Sequence, residues 1–483
     1  MKTTTTLVTV GAMTLFAITI GVLNAQGPVG GFGGSGGRGG GGRGGGGLGP
    51  ALFTALDTNS DGLLTRAEMK AAFDAWYSSS DKAKSGSVTL NQLTANLIPV
   101  INTAKPADIQ AMMAALPTTP GAKPARARKV LVYGGAAGFV HSSIPLAAKT
   151  VEALGNQGKL WTTDVTYNPA DFTTDNLKQY DAIILDSNTG CFLDDPKDPA
   201  ATEARRKALL DFVRGGKGIA GIHAATDSYH SNCSAAGGGG GSSTPLTLAG
   251  LLMTQGDANG DQKLSRQELA MLADSWYDKL DTDKGGKINQ ADFSTRFTAS
   301  VMPAPAGGAA FGGGAGRGGG RGASGAGPGG GGRGPVLDWP EFNKLIGGYF
   351  KFHWVYPQLI TTKIDDPKSP LTAMFHGQEF DIHDETYTFA QDSFSRTNVH
   401  VLTSVDYDKM STEDKAKEPA ANMRTDGDYA LSYIRKEGNG RVFYEAHGHS
   451  ETIYAMTPML EHYRAGIQYA LGDLKADDSP SKK

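Results

Sequence analysis

Residues 217 to 227 read Lys-Gly-Ile-Ala-Gly-Ile-His-Ala-Ala-Thr-Asp, and this stretch predicts the centre of an α/β fold. Its apolar run of Ile, Ala and Gly is typical of a strand that is buried on both faces, with helices packed close against it. Ligands in such sheets bind beyond the carboxyl ends of the strands, which is where His223 and Asp227 follow. Alternatively, His223 is a histidine of the core and Asp227 a helix cap.

Strands and helices alternate around this stretch. Strands are predicted at 129–133, 163–167 and 182–186, and helices at 144–154 and 202–214. Such alternation indicates an α/β fold with a doubly wound, mostly parallel sheet. The turn at 134–141 is rich in glycine, but Ala136 stands where a dinucleotide-binding turn has its second glycine, which argues against that kind of site.

Composition bounds the partners of the chain. The 483 residues include 46 basic and 49 acidic side chains, which give a net charge of −3. This balance offers no electrostatic attraction for nucleic acid or for an anionic membrane. The 67 glycines are concentrated in two tracts, which indicates glycine-rich linkers.

The first 25 residues have the pattern of an export signal. Lys2 precedes an apolar stretch from Leu7 to Leu23, and Ala25 is a small residue at the expected cleavage point. We therefore expect a secreted or periplasmic protein. Leu23 is larger than usual for its position, which leaves an uncleaved anchor as the alternative.

Two cysteines occur, Cys191 and Cys233, and each follows a predicted strand by a few residues. In an exported protein an even pair is typical of a disulfide, because the two strand ends would be neighbours. Two unpaired thiols are the alternative.

A calcium-binding EF-hand loop is predicted between Asp57 and Glu68. Oxygen-bearing side chains occupy its first, third, fifth, ninth and twelfth positions, and Gly62 occupies the sixth, where the loop bends. The predicted ligands are Asp57, Asn59, Asp61, Thr65 and Glu68. A second loop, 81–92, has lost most of its ligands, and we interpret it as a structural partner.

The same pattern returns 200 residues later (257 − 57). A duplicated EF-hand pair is the simplest explanation. The predicted ligands are Asp257, Asn259, Asp261, Ser265 and Glu268 in one loop, and Asp281, Asp283, Asn289 and Asp292 in the other. Gln262 replaces the bend glycine and Asp292 is shorter than the usual Glu, so we expect weak calcium affinity, as in extracellular calcium modules.

A set of motifs in the α/β region resembles the trehalose-utilisation (ThuA-like) family. The motifs are the Gly-Phe-Val-His turn at 138–141, the segment 172–181, Gly221 to Asp227, residues 339–342 and 345–350, His353, residues 384–387 and residues 440–449. The resemblance implies a flavodoxin-like or glutamine amidotransferase-like fold. It also implies a role in sugar metabolism, with keto-disaccharides among the substrates.

The resemblance sets the expected domain organisation. The α/β domain is split by an insertion that carries the second EF-hand pair. The expected segments are a signal peptide at 1–25, a linker at 26–49, EF-hand pair 1 at 50–100, a linker at 101–127, the first part of the ThuA-like domain at 128–230, an insertion at 231–334 with EF-hand pair 2 at 246–300, the second part at 335–475 and a polar tail at 476–483.

Histidines and carboxylates in these motifs are the candidate site. His223 stands where an amidotransferase has its nucleophilic cysteine, so a thiol mechanism is excluded. Imidazoles and carboxylates act as acids and bases near neutral pH, or as ligands of a transition metal. The expected catalytic residues are His141, His223, Asp227, Glu385 and His449, and the expected substrate-binding residues are Phe139, His353, Tyr387 and His447.

Three classes of function remain open at this point. The first is an exported sugar-processing enzyme that binds calcium and a small carbohydrate. The second is a noncatalytic carbohydrate- or partner-binding module that calcium stabilises. The third is a calcium-binding envelope protein that makes little use of its α/β domain. The histidines favour the first class, whereas the missing nucleophile keeps the second open.

Overall fold

The computed structural model describes residues 48–59, 61–101, 103–195, 198–230, 244–302 and 339–481. The predicted signal segment, most of the first glycine-rich tract, all of the second tract and Cys233 lie outside the described residues. In the part of the chain that is described, no helix is long and apolar enough to span a membrane.

The first half of the chain begins with helices and continues into the α/β domain. Its elements are α1 (Leu48–Leu56), β1 (Leu63–Leu64), α2 (Arg66–Ser80), β2 (Val88–Thr89), α3 (Leu90–Ile101), α4 (Pro106–Ala114), β3 (Lys129–Tyr133), α5 (Ile144–Gln157), β4 (Thr162–Thr166), α6 (Thr174–Leu177), β5 (Ala182–Asp186), α7 (Pro199–Arg214) and β6 (Gly218–Ile222).

The second half repeats the helical segment and then completes the α/β domain. Its elements are α8 (Thr244–Gly256), β7 (Lys263–Leu264), α9 (Arg266–Leu280), β8 (Ile288–Asn289), α10 (Gln290–Ser300), α11 (Pro340–Ile346), β9 (Phe350–Trp354), β10 (Leu359–Ile364), β11 (Phe380–His383), β12 (Thr386–Phe389), β13 (His400–Val405), α12 (Thr412–Lys415), β14 (Ala430–Glu437), β15 (Gly440–Glu445) and α13 (Thr457–Leu471).

A nine-stranded sheet with the order β11-β10-β13-β14-β15-β6-β5-β3-β4 forms the centre of the α/β domain. The five strands β15, β6, β5, β3 and β4 are parallel neighbours. The remaining strands pair antiparallel, so only β10 and β14 run against the other seven. This confirms the predicted mixed α/β fold with a mostly parallel sheet, whereas its antiparallel end was not predicted.

Helices cover both faces of strand β6, as its small residues predict. A β-carbon on Gly218 would lie 2.2 Å from the backbone oxygen of Ala470 in α13, and one on Gly221 would lie 2.9 Å from Ile346 in α11. Positions 218 and 221 point to opposite faces, because side chains alternate along a strand. Both helices therefore approach too closely for larger side chains at positions 218 and 221.

Two segments that were predicted to be peripheral belong to the α/β domain. Helix α4 lies within the predicted linker 101–127, and its Met112 is buried in the main core. In the predicted polar tail, the backbone of Ser481 donates a hydrogen bond to the carbonyl of Val399, and Asp478 accepts one from the hydroxyl of Tyr469. These contacts correct the predicted boundaries, because apolar burial in α4 and backbone pairing in the tail have no strong sequence pattern.

The two helical segments, α1–α3 and α8–α10, assemble crosswise. Strand β1 pairs with β8, and β2 pairs with β7, so each loop of the first segment meets a loop of the second. Their buried side chains form one continuous core that includes Phe73, Trp76, Trp276 and Phe297. We call this assembly the crossed helical domain. It corrects the expectation of two separate pairs, since each segment supplies half of one core.

Equivalent contacts relate the two segments by an approximate two-fold arrangement. Arg66 lies 4.6 Å from the ring centre of Tyr277, and Arg266 lies 5.0 Å from that of Tyr77. Arg66 also pairs with Asp274, and Arg266 pairs with Asp74. These ion pairs are largely exposed, so most of the stability of the assembly comes from its shared apolar core.

When a short Gly-Ser bridge replaces residues 231–334, we expect the core of the α/β domain to stay folded and the core of the crossed helical domain to be lost. The core of the α/β domain contains no described residue between 231 and 334 and should keep its cooperative thermal transition. Helices α1–α3 lose their partners, and limited proteolysis should therefore cut within residues 48–101. Protection of that segment in the deletion variant would contradict the crossed arrangement.

The variant Trp276→Ala is the matched control for this deletion. The ring of Trp276 packs 5.5 Å from that of Phe73 in the other segment. Its removal should lower the free energy of unfolding of the crossed helical domain by about 3–5 kcal/mol. The α/β transition should stay where it is in the wild type.

Candidate functional site

Four side chains from four different connections meet beyond the carboxyl end of the parallel strands. They are His141, His223, Glu385 and His449, and we call them the histidine–glutamate cluster. One nitrogen from each histidine and one oxygen of Glu385 all lie within 4.8 Å of one another. The first three residues are buried, and the side chain of His449 is 26% exposed.

The carboxylate of Glu385 joins the members of this cluster. Its Oε2 lies 3.0 Å from His449 Nδ1, 3.3 Å from His223 Nε2 and 4.0 Å from His141 Nε2. Its Oε1 lies 2.8 Å from Nδ1 of His353. One carboxylate therefore lies beside four imidazoles, and His353, which is not a member of the cluster, contacts its outer oxygen.

His223 occupies a sharp turn where strand β6 ends. Its backbone has φ +47, a left-handed conformation that costs a residue other than glycine about 1 kcal/mol or more. Its Nδ1 lies 2.8 Å from the carbonyl oxygen of Ala446, so this nitrogen carries the hydrogen. Its Nε2 then faces the cluster, 3.3 Å from Oε2 of Glu385. Among the described residues, Nε2 makes no well-aligned hydrogen bond.

Burial and neighbouring charges separate the pKa values in the cluster. Burial, with His223 and His449 close by, lowers the pKa of His141 well below its usual value. Burial opposes ionisation of Glu385, but its contacts with His223, His353 and His449 outweigh this and lower its pKa. Burial also opposes protonation of His449, yet its contact with Glu385 raises its pKa. Near neutral pH the site thus combines a carboxylate with a neutral His141.

Asp384 fixes the loop that carries His449. This residue is fully buried, and its carboxylate accepts hydrogen bonds from the backbone N–H groups of Gly448 (2.7 Å), His449 (3.3 Å) and Ser450 (2.8 Å). Asp384 and Glu385 are adjacent in sequence. One turn of chain therefore supplies both a member of the cluster and the anchor of another member.

The donor set is suited to a transition metal ion. Three imidazole nitrogens and one carboxylate oxygen are ligands that Zn²⁺, Mn²⁺ and Fe²⁺ accept, whereas Ca²⁺ prefers oxygen atoms. The low pKa of His141 keeps its lone pair available for such a role. The partial exposure of His449 leaves an approach to the cluster from solvent.

The two aromatic residues that were predicted to bind substrate differ in exposure. Phe139 is 49% exposed, and its ring lies 4.8 Å from that of His141. Tyr387 is only 3% exposed and packs 4.4 Å from the ring of His223. Tyr387 cannot offer its face to a sugar from this position, because the core already covers it. This corrects its expected role in stacking.

Asp227 and His447 lie outside the cluster. Asp227 pairs with His230 at the end of the turn that follows His223. His447 is buried, and its Nδ1 lies 2.7 Å from Glu445, whose other oxygen lies 3.0 Å from His462. His447 and His449 therefore face different surroundings, although they are only two residues apart. His462 is fully buried beside Glu445.

Three further residues beside the site were not selected from the sequence. Asp384 lies within the motif 384–387, from which only Glu385 and Tyr387 were selected. Tyr356 is 41% exposed, and its ring lies 6.1 Å from that of His449. Asp186 ends strand β5 as a fully buried carboxyl, and burial raises its pKa well above the usual value. The one sequence feature that pointed to Asp186 as a site residue was its position at the end of a predicted strand.

The predicted calcium ligands lie in three loops, of which two share the same internal hydrogen bonds and the third differs. In the loop 57–68, Asp57 accepts backbone hydrogen bonds from Asp61 (3.2 Å) and Gly62 (2.9 Å), and Glu68 caps the next helix at Thr65. The loop 257–268 repeats these contacts, including the bend at Gln262, which has φ +62. In each loop the oxygen atoms turn inward around the same bend.

The fourth loop, 281–292, differs from these two. Asp283 lies 3.3 Å and Asp292 lies 3.6 Å from the guanidinium of Arg296. Asn289 caps helix α10 through the backbone of Asp292. Two of its predicted ligands are thus already neutralised by a cation of the protein. This weakens the loop as a site for a second cation.

Replacement of Asp384 by Ala is expected to destabilise the α/β domain. The change leaves three backbone N–H groups of the His449 loop without their acceptor, which should cost roughly 3 kcal/mol or more in the free energy of unfolding. Asp384→Asn keeps one acceptor oxygen and should lose less. Denaturant titration measures both effects.

Asp381→Ala is the control, because it removes an exposed carboxylate of strand β11 and should stay within about 0.5 kcal/mol of the wild type. Equal stability of Asp384→Ala and the wild type would exclude the anchoring role.

Comparison with known proteins gives one sequence family and several solved structures. A model of the ThuA family, described as trehalose utilisation, matches residues 129–313 and 321–470. Among curated proteins, none matches the sequence. Three of the similar solved structures are two ThuA-like proteins and one cytoplasmic protein.

A ThuA-like protein from Bacteroides uniformis ATCC 8492 is 17% identical, with a TM-score of 0.40 over 74% of this chain and 96% of its own. A ThuA-like protein from Parabacteroides merdae ATCC 43184 is 12% identical, with a TM-score of 0.35 over 73% and 93%. The cytoplasmic protein from Salmonella typhimurium is 8% identical, with a TM-score of 0.31 over 71% and 98%.

These TM-scores are below 0.5, so the assignment rests on the sequence match, which spans more than half of the 483 residues. The matched residues include all four members of the histidine–glutamate cluster. The chain therefore belongs to the ThuA family of trehalose utilisation proteins.

Proposed function

We propose that this chain is a metal-assisted, sugar-processing member of the ThuA family. The observation that carries the proposal is the convergence of three imidazole nitrogens and one carboxylate oxygen within 4.8 Å. The substrate that we propose is a keto-disaccharide or a related carbohydrate, which agrees with the family's description as trehalose utilisation.

The geometry supports a bound divalent transition metal. Nε2 of His223 is buried and faces the cluster, while Nδ1 on the other side of the ring is hydrogen-bonded to the carbonyl of Ala446. A hydrogen bond behind a ligating imidazole is the usual support of a metal site. A metal in this position would polarise a sugar carbonyl or hydroxyl and make bound water more acidic.

The chain's own residues have separate tasks in this proposal. His141, His223, His449 and Glu385 would hold the ion. His353, which contacts the outer oxygen of Glu385 and is 33% exposed, is placed to exchange a proton with a substrate hydroxyl. If the ion is absent, the same imidazoles and the carboxylate of Glu385 remain as an acid–base set.

Metal analysis of the purified protein tests this function. After dialysis against Zn²⁺ in the presence of Ca²⁺, which occupies the oxygen-lined loops, and removal of free ion, elemental analysis should find about one transition metal ion per chain. His223→Ala and Glu385→Gln should each lower this content at least about tenfold, because each removes one ligand of four. Calcium alone in the wild type would contradict the metal-assisted function and favour the noncatalytic binding module.

His462→Gln is the matched control for these variants. His462 is as buried as His223, and it too lies beside a buried glutamate, but it does not belong to the cluster. It should lower stability while leaving the metal content at about one per chain. A loss of metal in this control would show that the metal content follows folding rather than ligation.

We also propose that the crossed helical domain consists of calcium-binding EF-hands. The bend of loop 57–68 lies at Gly62 with φ +80, and that of loop 257–268 lies at Gln262 with φ +62. Hydrogen bonds from Ser265 lower the pKa of Glu268, so this final ligand is ionised. Short strands connect each loop with one in the other segment, as β1–β8 and β2–β7.

Because the segments pair crosswise, each pair of neighbouring loops contains one loop that we expect to bind calcium more strongly and one that we expect to bind it more weakly. Loop 57–68 meets loop 281–292, whose carboxylates contact Arg296. Loop 257–268 meets loop 81–92, which retains a single acidic ligand at Asp81. We therefore expect one occupied site in each pair at moderate calcium concentration.

Export of the chain is part of the same proposal. Its support is the apolar segment near Met1, which lies outside the described residues, and the disulfide formed by Cys191. Disulfides persist in oxidising compartments, where calcium is also abundant enough for weak sites.

Calcium titration by calorimetry should find two stronger sites per chain and at most one weaker site. Glu68→Gln should remove the site at 57–68, and Glu268→Gln should remove the site at 257–268, because each takes away the bidentate ligand. Gln92→Ala, at the corresponding position of loop 81–92, should leave the count unchanged. An unchanged count in the Glu68→Gln and Glu268→Gln double variant would refute the assignment of these loops.

A further inference from the structure

We propose that Phe139 and Tyr356 form an aromatic rim that binds the face of a pyranose ring beside the histidine–glutamate cluster. The proposal rests on the function proposed above and names the binding site for its carbohydrate. Tyr356 takes the role that was expected of Tyr387.

The exposure of these two rings sets them apart from the other aromatic side chains at the site. Phe139 is 49% exposed and Tyr356 is 41% exposed, whereas Tyr387 and Trp354 are 3% and 1% exposed. Val355, next to Tyr356, is 67% exposed and extends the apolar surface. Large apolar side chains that adjoin a polar cleft are typical of a ligand-binding surface.

The two rings adjoin different members of the cluster. The ring of Phe139 lies 4.8 Å from that of His141, and the ring of Tyr356 lies 6.1 Å from that of His449. The imidazoles of His141 and His449 are themselves 5.2 Å apart. Both aromatic rings therefore border the approach through which a ligand reaches the cluster.

Hydrogen bonds hold the two turns that carry the rings. The carbonyl of Phe139 accepts a hydrogen bond of 2.7 Å from the hydroxyl of Thr189. The turn at Tyr356 is closed by the backbone N–H of Gln358, which donates to the carbonyl of Val355 at 3.1 Å. Rings on fixed turns lose little conformational entropy when a ligand binds.

The chemistry of the rim and of the cluster selects a sugar ring as the ligand. A pyranose presents C–H groups on its faces and hydroxyl groups around its edge. The apolar side chains of Phe139, Val355 and Tyr356 match a face. The partly exposed side chains of His353 and His449 match the hydroxyl edge, because the ring nitrogen of each that does not face Glu385 can form a hydrogen bond with a hydroxyl. An acyclic polyol has the same hydroxyls but no rigid apolar face.

The test uses the full chain loaded with Zn²⁺ and three probes, trehalose, methyl β-D-glucopyranoside and sorbitol. Calorimetry should detect trehalose and the pyranoside and give at least roughly fivefold weaker binding for Phe139→Ala and for Tyr356→Ala. The double variant should lose measurable binding. Tyr356→Phe should bind the pyranoside as the wild type does, because the ring face is kept. Met423→Ala, which removes an exposed apolar side chain elsewhere, should also bind normally.

Metal content measured on the same samples separates this proposal from the one on which it rests. Normal metal content with equal pyranoside affinity in the wild type and the double variant overturns the rim but leaves the metal site intact. Absence of pyranoside binding by the wild type, or equal affinity for sorbitol, also overturns the rim. Loss of metal in the wild type affects the metal site alone, since stacking on Phe139 and Tyr356 needs no ion.

Discussion

The carboxylate of Glu385 is the constraint on which the α/β site depends. A buried carboxylate without partners would cost several kcal/mol, so its position requires the histidines that surround it. Those histidines come from connections that lie far apart in sequence, at 141, 223, 353 and 449. The parallel strands make this possible because their carboxyl ends meet at one edge of the sheet, and Asp384 then fixes the last loop against the others.

A second buried ion pair lies where strand β15 ends, at the start of the loop that carries His449. Glu445 ends strand β15 and contacts His447 at 2.7 Å and His462 at 3.0 Å. His462 belongs to α13 and also contacts the carbonyl oxygen of Leu371. Helix α13 is thereby joined to the strand end from which the His449 loop departs. The loop is therefore held by Asp384 on one side and by the contact of His447 with Glu445 on the other.

Much of the α/β domain was predictable from local pattern. The strand at 218–222 has the small apolar residues that its two covering helices require, and the match to the ThuA family confirms the resemblance seen in the motifs. His223, Glu385 and His449 follow strands or lie in those motifs. Tyr387 was misjudged because aromatic residues in a strand can face either the core or a cleft, and alternation alone does not distinguish them.

The features that escaped prediction depend on long-range pairing. No periodicity distinguishes β1–β8 pairing from pairing within one segment, because the loops of both segments have nearly the same pattern. Asp384 was missed since the donors to its carboxylate are backbone N–H groups, which leave no mark in the sequence. Likewise, Tyr356 is defined as a neighbour of His449 only when two distant turns fold together.

The crosswise pairing of the helical segments also bears on whether one chain or two form the crossed helical domain. Arg66 reaches Asp274 and Tyr277, and Arg266 reaches Asp74 and Tyr77, in an approximate two-fold arrangement. A second copy of the chain can supply the same partners, which would exchange segments without any new contact. The effective concentration of one segment around the other then decides between a closed monomer and an exchanged dimer. The length of chain between the segments, rather than the interface, sets that balance.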